Sequence, residues 1–195
     1  MMEIKVVSAQ EIESYIDIIA NLRITIFKEY PYLYDGDYTY EQKYLKKFLE
    51  TPDSLICVAY DENQIVGAIT ALPLKYEDEL IKKPFLNQGI SMDTVYYYSE
   101  ALILQEYRKK GIGIKMFKMA EEKIISMEKY TFFTFAAIER NENHPQKPKD
   151  YQSPYPFFGK IGFIQRRDLV CQMSWKEINQ TQESNKSLYF WTKEI

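Results

Sequence analysis

Two places in this sequence carry residue types and spacings that could do chemistry. The first is Arg108-Lys109-Lys110-Gly111-Ile112-Gly113, which lies between a β-branched, apolar run and a helical pattern. The first N–H groups of a helix have no partner inside it and its dipole is positive there, so an anion such as a diphosphate can dock. Gly111 and Gly113 permit close approach of the backbone, and the three basic side chains add charge. The string has neither the GxxxxGKS/T spacing of a nucleoside-triphosphate loop nor the third glycine and distant acid of a dinucleotide fold. A lone GxG can equally be a tight turn with a solvated basic rim. The second place is Glu100, a carboxylate within an otherwise apolar strand pattern just ahead of that loop. Burial there would strengthen its hold on a proton and suit it to act as a base. The plainer alternative is an outward-facing strand carboxylate.

The elements that must position these residues alternate between strand and helix. Ile4 to Val7 reads as a short strand, and Ser8 with Glu11 has the spacing of reciprocal capping at a helix start. The helix that follows carries Ile12, Ile16, Ile19, Leu22 and Ile26 on one face. Pro31 and Gly36 break the pattern in an aromatic loop, Tyr30 to Tyr40. Thr39 and Gln42 then offer capping for a second helix, with Tyr44, Leu45, Phe48 and Leu49 as its buried stripe. The runs SLICVAY and IVGAITALPL, separated by DENQ, predict an antiparallel hairpin. A polar stretch through Lys83, Pro84 and Gln88 leads to the strand TVYYYSEALIL. Ile114, Phe117, Ala120, Ile124 and Met127 mark a third amphipathic helix, followed by a buried strand, TFFTFAAI. A proline-rich loop, a short helix turning at Gly162 and two strands around LVCQMSWKEI and SLYFW complete the chain. This order predicts an α/β or α+β sheet covered by helices, in a single domain over residues 1–195.

Composition narrows the partners. A chain of 195 residues that is 46% hydrophobic can bury one substantial core. With 25 basic and 28 acidic residues there is no large basic field, and nucleic acid is not expected. Cys57 and Cys171 lie in apolar strand patterns and read as small core side chains. With no apolar leader and no apolar stretch near the ~20 residues that span a bilayer, the expectation is a cytoplasmic protein without a membrane partner. One histidine and no cysteine cluster give no expectation of a metal.

In its place between strand and helix, EYRKKGIG resembles the signature Q/R-x-x-G-x-G/A of the GCN5-related N-acetyltransferase (GNAT) family, matched by Arg108 to Gly113. The likeness runs in order from the first helix through the aromatic loop, the hairpin and the signature to Gly162-Phe163. It covers about the first 175 residues. His144-Pro145, Tyr151 and the pair Phe157-Phe158 resemble a less studied bacterial branch. The resemblance implies the GNAT fold, a mixed and mostly antiparallel central sheet flanked by about four helices. It implies acetyl-CoA as cosubstrate, with the signature loop on the pyrophosphate and the strand Ala101 to Leu104 along the pantetheine arm. The implied contacts are Leu102, Ile103, Leu104, Arg108, Lys109, Lys110, Gly111, Ile112 and Gly113, the two leucines through main-chain groups only. A small-molecule or peptide amine is the implied acceptor, met by Tyr32, Tyr34 and Asp35 in the loop between the first helices. A homodimer is a family-level expectation, to which SLYFW adds the prospect of strand pairing between copies.

Acetyl transfer needs a neutral amine, a polarised thioester carbonyl and a proton for the departing thiolate. Glu100 is the candidate base, and an N–H near Ile103 is the candidate for the carbonyl oxygen. Family members often carry a Tyr four residues before the glycine of the late GF, but Phe158 stands there and has no proton to give. Tyr155 is the substitute acid, Tyr151 is near in sequence, and solvent is a third source. His144 sits in a polar loop, where an imidazole could touch substrate or accept a proton. The missing Tyr leaves a noncatalytic acetyl-CoA-binding or sensor domain as the alternative function.

Overall fold

The computed structural model describes residues 2–195. One sheet holds β1 (Met2–Val7), β2 (Leu55–Asp61), β3 (Gln64–Pro73), β4 (Val95–Ile103), β5 (Phe132–Ile138), β6 (Ile164–Lys176) and β7 (Glu183–Glu194). Their order is β1-β2-β3-β4-β5-β7-β6, and every neighbouring pair is antiparallel except β4 with β5. The helices are α1 (Ile16–Phe27), α2 (Tyr38–Leu45), α3 (Lys47–Glu50), α4 (Glu79–Asn87), α5 (Ile112–Ile125) and α6 (Tyr155–Lys160). The mixed, mostly antiparallel sheet is the one expected, and the described residues form six α-helices rather than four.

Strand alternation divides the core. Along β2, Leu55, Cys57 and Ala59 face α5, while Ile56 and Val58 face α1. On the α1 side Ile12, Ile16, Ile19 and Leu22 are buried, as their spacing predicted. In α5 the buried stripe is Ile112, Met116, Phe117, Ala120 and Ile124. Ile114, placed in that stripe by the sequence pattern, is exposed because the helix starts at Ile112 and turns position 114 to solvent. Cys57 and Cys171 are buried, unpaired thiols, and burial pushes both up to about 12, so neither is a thiolate at neutral pH.

Other expectations change. The cap of α2 is Asp37, whose carboxylate accepts from the Tyr40 N–H at 2.8 Å, so Thr39 lies inside the helix. Leu49 is exposed, since α3 is a separate four-residue turn that buries Phe48 alone. The polar stretch around Pro84 is helix α4, which Ile81 and Phe85 anchor beneath β6 and β7. Burial of those two outweighs the missing N–H of Pro84. The SLYFW segment is no free edge: β7 lies between β5 and β6 and pairs with both.

The loop after α1 is pinned to the β6–β7 hairpin. Arg140, just past β5, donates to the carbonyls of Pro31 (2.7 Å) and Tyr32 (3.1 Å) and pairs with buried Glu177 at 2.6 Å. Burial opposes ionisation of Glu177, yet Arg140 and Lys186 hold its carboxyl below the ordinary value. Arg140→Ala leaves Glu177 to Lys186 and the Tyr32 carbonyl to the Trp175 indole but strands the Pro31 carbonyl, and is expected to lower stability by about 2 kcal/mol, read as a lower urea midpoint.

Candidate active site

β4 and β5 run parallel but pair only over Val95–Tyr97 with Phe132–Thr134. Beyond Tyr97 they part, so the edge of β4 that faces β5 has no strand beside it up to Ile103. On its other edge the Leu104 N–H donates to the Val66 carbonyl at 3.0 Å. Antiparallel alternation then turns the main-chain groups of Glu100 and Leu102 toward β3, and those of Ala101 and Ile103 toward the gap. The Ile103 carbonyl accepts from Arg108 Nε at 2.8 Å, while the Ile103 N–H faces the gap.

The loop at the mouth of the gap starts α5. Gly111 caps the helix in the left-handed conformation (φ 78°), and Lys109 also has positive φ (62°). The first helical bond runs from the Lys115 N–H to the Gly111 carbonyl at 3.3 Å, so the amides of Ile112, Gly113 and Ile114 precede it. Gly113 packs closely under α6, where a β-carbon would come within 3.2 Å of Phe157 and 3.3 Å of Ile103. Lys109 and Lys110 are exposed. Arg108 turns back, pairing with Glu29 at 2.6 Å as it holds Ile103. Its guanidinium therefore braces the strand end rather than standing open to an anion.

Glu100 is re-aimed by an irregularity in β4. Glu100 pairs with Thr70 and Tyr98 with Ala71, so Ser99 has no partner in β3 and forms a β-bulge. Tyr96 and Tyr98 pack on the α5 side. Simple alternation would send Glu100 there as well, and the extra residue sends it to the opposite face, toward α1 and α2. The bulge is pinned by Ser99 Oγ, which donates to Glu77 at 2.9 Å, and Glu77 is held by Lys47 at 2.8 Å.

On that face Glu100 Oε1 accepts from Arg23 Nη1 and, at 2.8 Å, from the Tyr44 hydroxyl. The same guanidinium donates through Nε to Glu41 Oε2. Arg23, Glu41 and Glu100 are all more than nine-tenths buried, and Glu41 Oε1 and Glu100 Oε2 have no hydrogen-bond partner. Sequence reasoning found Glu100 and missed Arg23, Glu41 and Tyr44. A signal existed. Arg23 continues the buried series at 12, 16 and 19, and Glu41 stands four and seven residues before buried Leu45 and Phe48.

The remaining expected site residues divide. Tyr34 lies beside the cluster, where burial first, then the Glu41 carboxylate, raise its phenol. Tyr32 is packed between Phe27 (4.8 Å) and Trp175 (6.0 Å), and burial pushes it up to about 12. The Asp35 carboxylate is engaged by Lys176 at 2.6 Å. His144 lies against Tyr30 (5.6 Å), which also meets Tyr151 (4.6 Å), and its Nδ1 accepts from the Gln146 N–H. The Tyr155 hydroxyl donates to the Ile138 carbonyl at the end of β5 (3.0 Å), and burial raises its phenol. Phe158 packs on Phe135 and Trp191. Among the described residues no His, Cys, Asp and Glu group could hold a metal ion, and no helix is long and apolar enough to cross a membrane.

The sheet thus splits between its two parallel strands, with a helix start at the mouth of the split. The chain belongs to the acetyltransferase (GNAT) family, whose sequence model matches residues 20–148. The fold is shared with a ribosomal-protein-alanine N-acetyltransferase from Brucella melitensis (TM-score 0.64, 13% identity, 99% of each chain covered). It is also shared with Arabidopsis thaliana NAA60 in complex with a bisubstrate analogue (TM-score 0.63, 13% identity, 100% of this chain and 98% of that one). A GNAT family acetyltransferase from Elizabethkingia anophelis with acetyl-CoA bound is similar as well (TM-score 0.58, 13% identity, 100% and 98%). No curated protein matches the chain.

Proposed function

We propose that this protein is an acetyl-CoA-dependent N-acetyltransferase, one unit over residues 1–195, that acts on an amine of a small molecule or peptide. The observation that carries the reading is the parting of β4 from β5 with the amides of α5 at its mouth and Glu100 beside it. The residues present fit the cosubstrate. An unpaired strand edge can bind an amide-bearing arm, as a further strand would, and the first turn of α5 can take a diphosphate. Ala101 and Ile103 would hold the arm through their main chain, whereas the main-chain groups of Leu102 and Leu104, expected there from the resemblance, are turned to β3. Gly111, Ile112 and Gly113 would hold the diphosphate through theirs, with Lys109 and Lys110 supplying charge at the rim and Arg108 keeping the strand end in place.

Acetyl-CoA, when bound, supplies the acetyl thioester. The Ile103 N–H polarises its carbonyl oxygen. Glu100 Oε1 is occupied by Arg23 and Tyr44, so Oε2, buried and without a partner, is the oxygen left to take the proton of the amine, relayed by a water. The amine nitrogen then bonds to the carbonyl carbon, the carbon–sulfur bond breaks, and solvent protonates the departing sulfur. Tyr155 is the residue the missing phenol at Phe158 points to, but its hydroxyl is engaged by Ile138 and burial makes it a poor proton donor. Tyr155→Phe is expected to keep kcat within about threefold of wild type, against the larger loss typical of a removed general acid. Tyr34 and the ring pair Tyr30 and Tyr151 with His144 are the groups left to meet the acceptor. Tyr32, by ring packing, and Asp35, by its pair with Lys176, hold the shape of that loop.

Calorimetry with acetyl-CoA, followed by acetyl transfer to a panel of polyamines, aminoglycosides, amino acids and peptides, tests the reading. Binding with transfer supports it; binding without transfer to any amine favours a sensor; no binding removes it. A cytoplasmic location belongs to the same reading, supported by the two reduced thiols.

A further inference from the structure

We propose that Glu41 is a positioning residue: by sharing Arg23 with Glu100 it fixes where that carboxylate sits and how strongly it holds a proton. This role for Glu41 rests on the proposed function, in which Glu100 is the base.

The geometry is that of one planar cation gripped from two sides. Arg23 offers Nε to Glu41 and Nη1 to Glu100, so neither carboxylate can shift without turning the guanidinium. The guanidinium is itself fixed over the rings of Tyr44 (4.2 Å) and Phe27 (5.1 Å). One cation therefore serves two buried carboxylates, and each keeps an oxygen without a donor. A buried carboxylate holds its charge in proportion to the opposite charge it receives, and a like charge nearby makes it hold a proton harder. Glu41 acts on Glu100 in both ways, by its own charge and by drawing on Arg23.

Other groups face Glu100 from each packed element. Tyr44 of α2 donates to it, and Lys47 of α3 stands over the Tyr44 ring at 4.1 Å. Glu77 is bound by Lys47 and Ser99, Thr70 of β3 is the backbone partner, and Tyr34 of the loop lies beside Glu41. None of these bridges the two carboxylates as Arg23 does.

Glu41→Gln removes the like charge and leaves Arg23 to Glu100 alone, so ionised Glu100 is favoured and the acid limb of the kcat/KM profile moves to lower pH. Arg23→Lys keeps the charge but loses the two-sided planar grip, so the limb moves to higher pH.

The test is the pH profile of acetyl transfer to the best amine of the panel, for wild type, E41Q, E41D, R23K and E100Q. The expected result is an acid limb about one pH unit lower in E41Q, with KM for acetyl-CoA unchanged, and a return toward wild type in E41D. R23K is expected to raise the limb and carries the test alone if E41Q does not fold. A limb that stays in place in E41Q and R23K overturns the proposal, even if the rate falls at every pH, because that is what a merely structural role would do. If E100Q loses the limb while E41Q keeps it, only the role of Glu41 fails. An E100Q variant with wild-type rate and limb sinks the base assignment and this inference with it.

Discussion

Glu100→Gln lowers kcat for acetyl transfer by about 10²- to 10⁴-fold while the Kd for acetyl-CoA stays within about twofold of wild type. The two halves of that result come from different atoms. The amide keeps the size of the carboxylate and an oxygen for Arg23 Nη1 and the Tyr44 hydroxyl, so the buried cluster stays connected. What is lost is Oε2 as a proton acceptor, the one oxygen of this side chain that nothing else engages. In the proposed reading the cosubstrate is met by main-chain groups of Ala101 and Ile103 and by the start of α5, and none of these is altered. Alanine is the less informative variant, because it leaves Arg23 beside a cavity and mixes a stability loss of about 3–5 kcal/mol with the chemical one. Separate measurements of acetyl-CoA binding by calorimetry and of turnover at saturating amine decide the matter. A kcat within a few-fold of wild type means that the amine gives its proton to another group.

The loop proposed to take the diphosphate was legible in the sequence as a strand-to-helix turn and the cluster around Glu100 only partly so, for a physical reason. Arg108 to Gly113 form a contiguous loop whose use depends on local backbone geometry, and a strand, two glycines and a helical stripe announce it. The cluster around Glu100 is assembled from α1, α2 and β4, which are 77 and 18 residues apart at its two ion pairs. A bulge at Ser99 decides which face the carboxylate takes, and no feature of the alternating pattern announces an extra residue. The mispositioned cap at Thr39 and the missed helix α4 have a similar cause. Asp37 won the cap because the preceding loop is tied to the hairpin by Arg140, and Pro84 was tolerated because Ile81 and Phe85 are buried on β6 and β7. Tertiary contacts overrode local preference in both places. Where burial alone decides, as for Ile12, Ile16 and Ile19, spacing was sufficient. The charged residues that interrupt such a stripe, Arg23 and Glu41, were the readable trace of the cluster.

Gly111→Val raises the Kd for acetyl-CoA about 100-fold or more, in line with the cost of misplacing a binding group by an ångström. Two effects add at this position. The residue caps α5 at φ 78°, a conformation that costs a non-glycine residue roughly 1–2 kcal/mol and that a β-branched side chain resists most. If the backbone relaxes, the amides of Ile112 and Gly113 turn away from the mouth of the gap. If it does not, the side chain enters the open space beside the loop, where nothing lies within 4 Å of a β-carbon and where the diphosphate is proposed to lie. Either route weakens binding. Neither disturbs the core, because Gly111 is exposed and the buried stripe of α5 begins at Ile112. The thermal unfolding midpoint therefore falls by only about 2–8 °C, as that strain requires, while the calorimetric signal collapses, and Gly111→Ala falls between the two. Wild-type affinity in Gly111→Val would remove the diphosphate from this loop and leave its glycines as the makers of a turn.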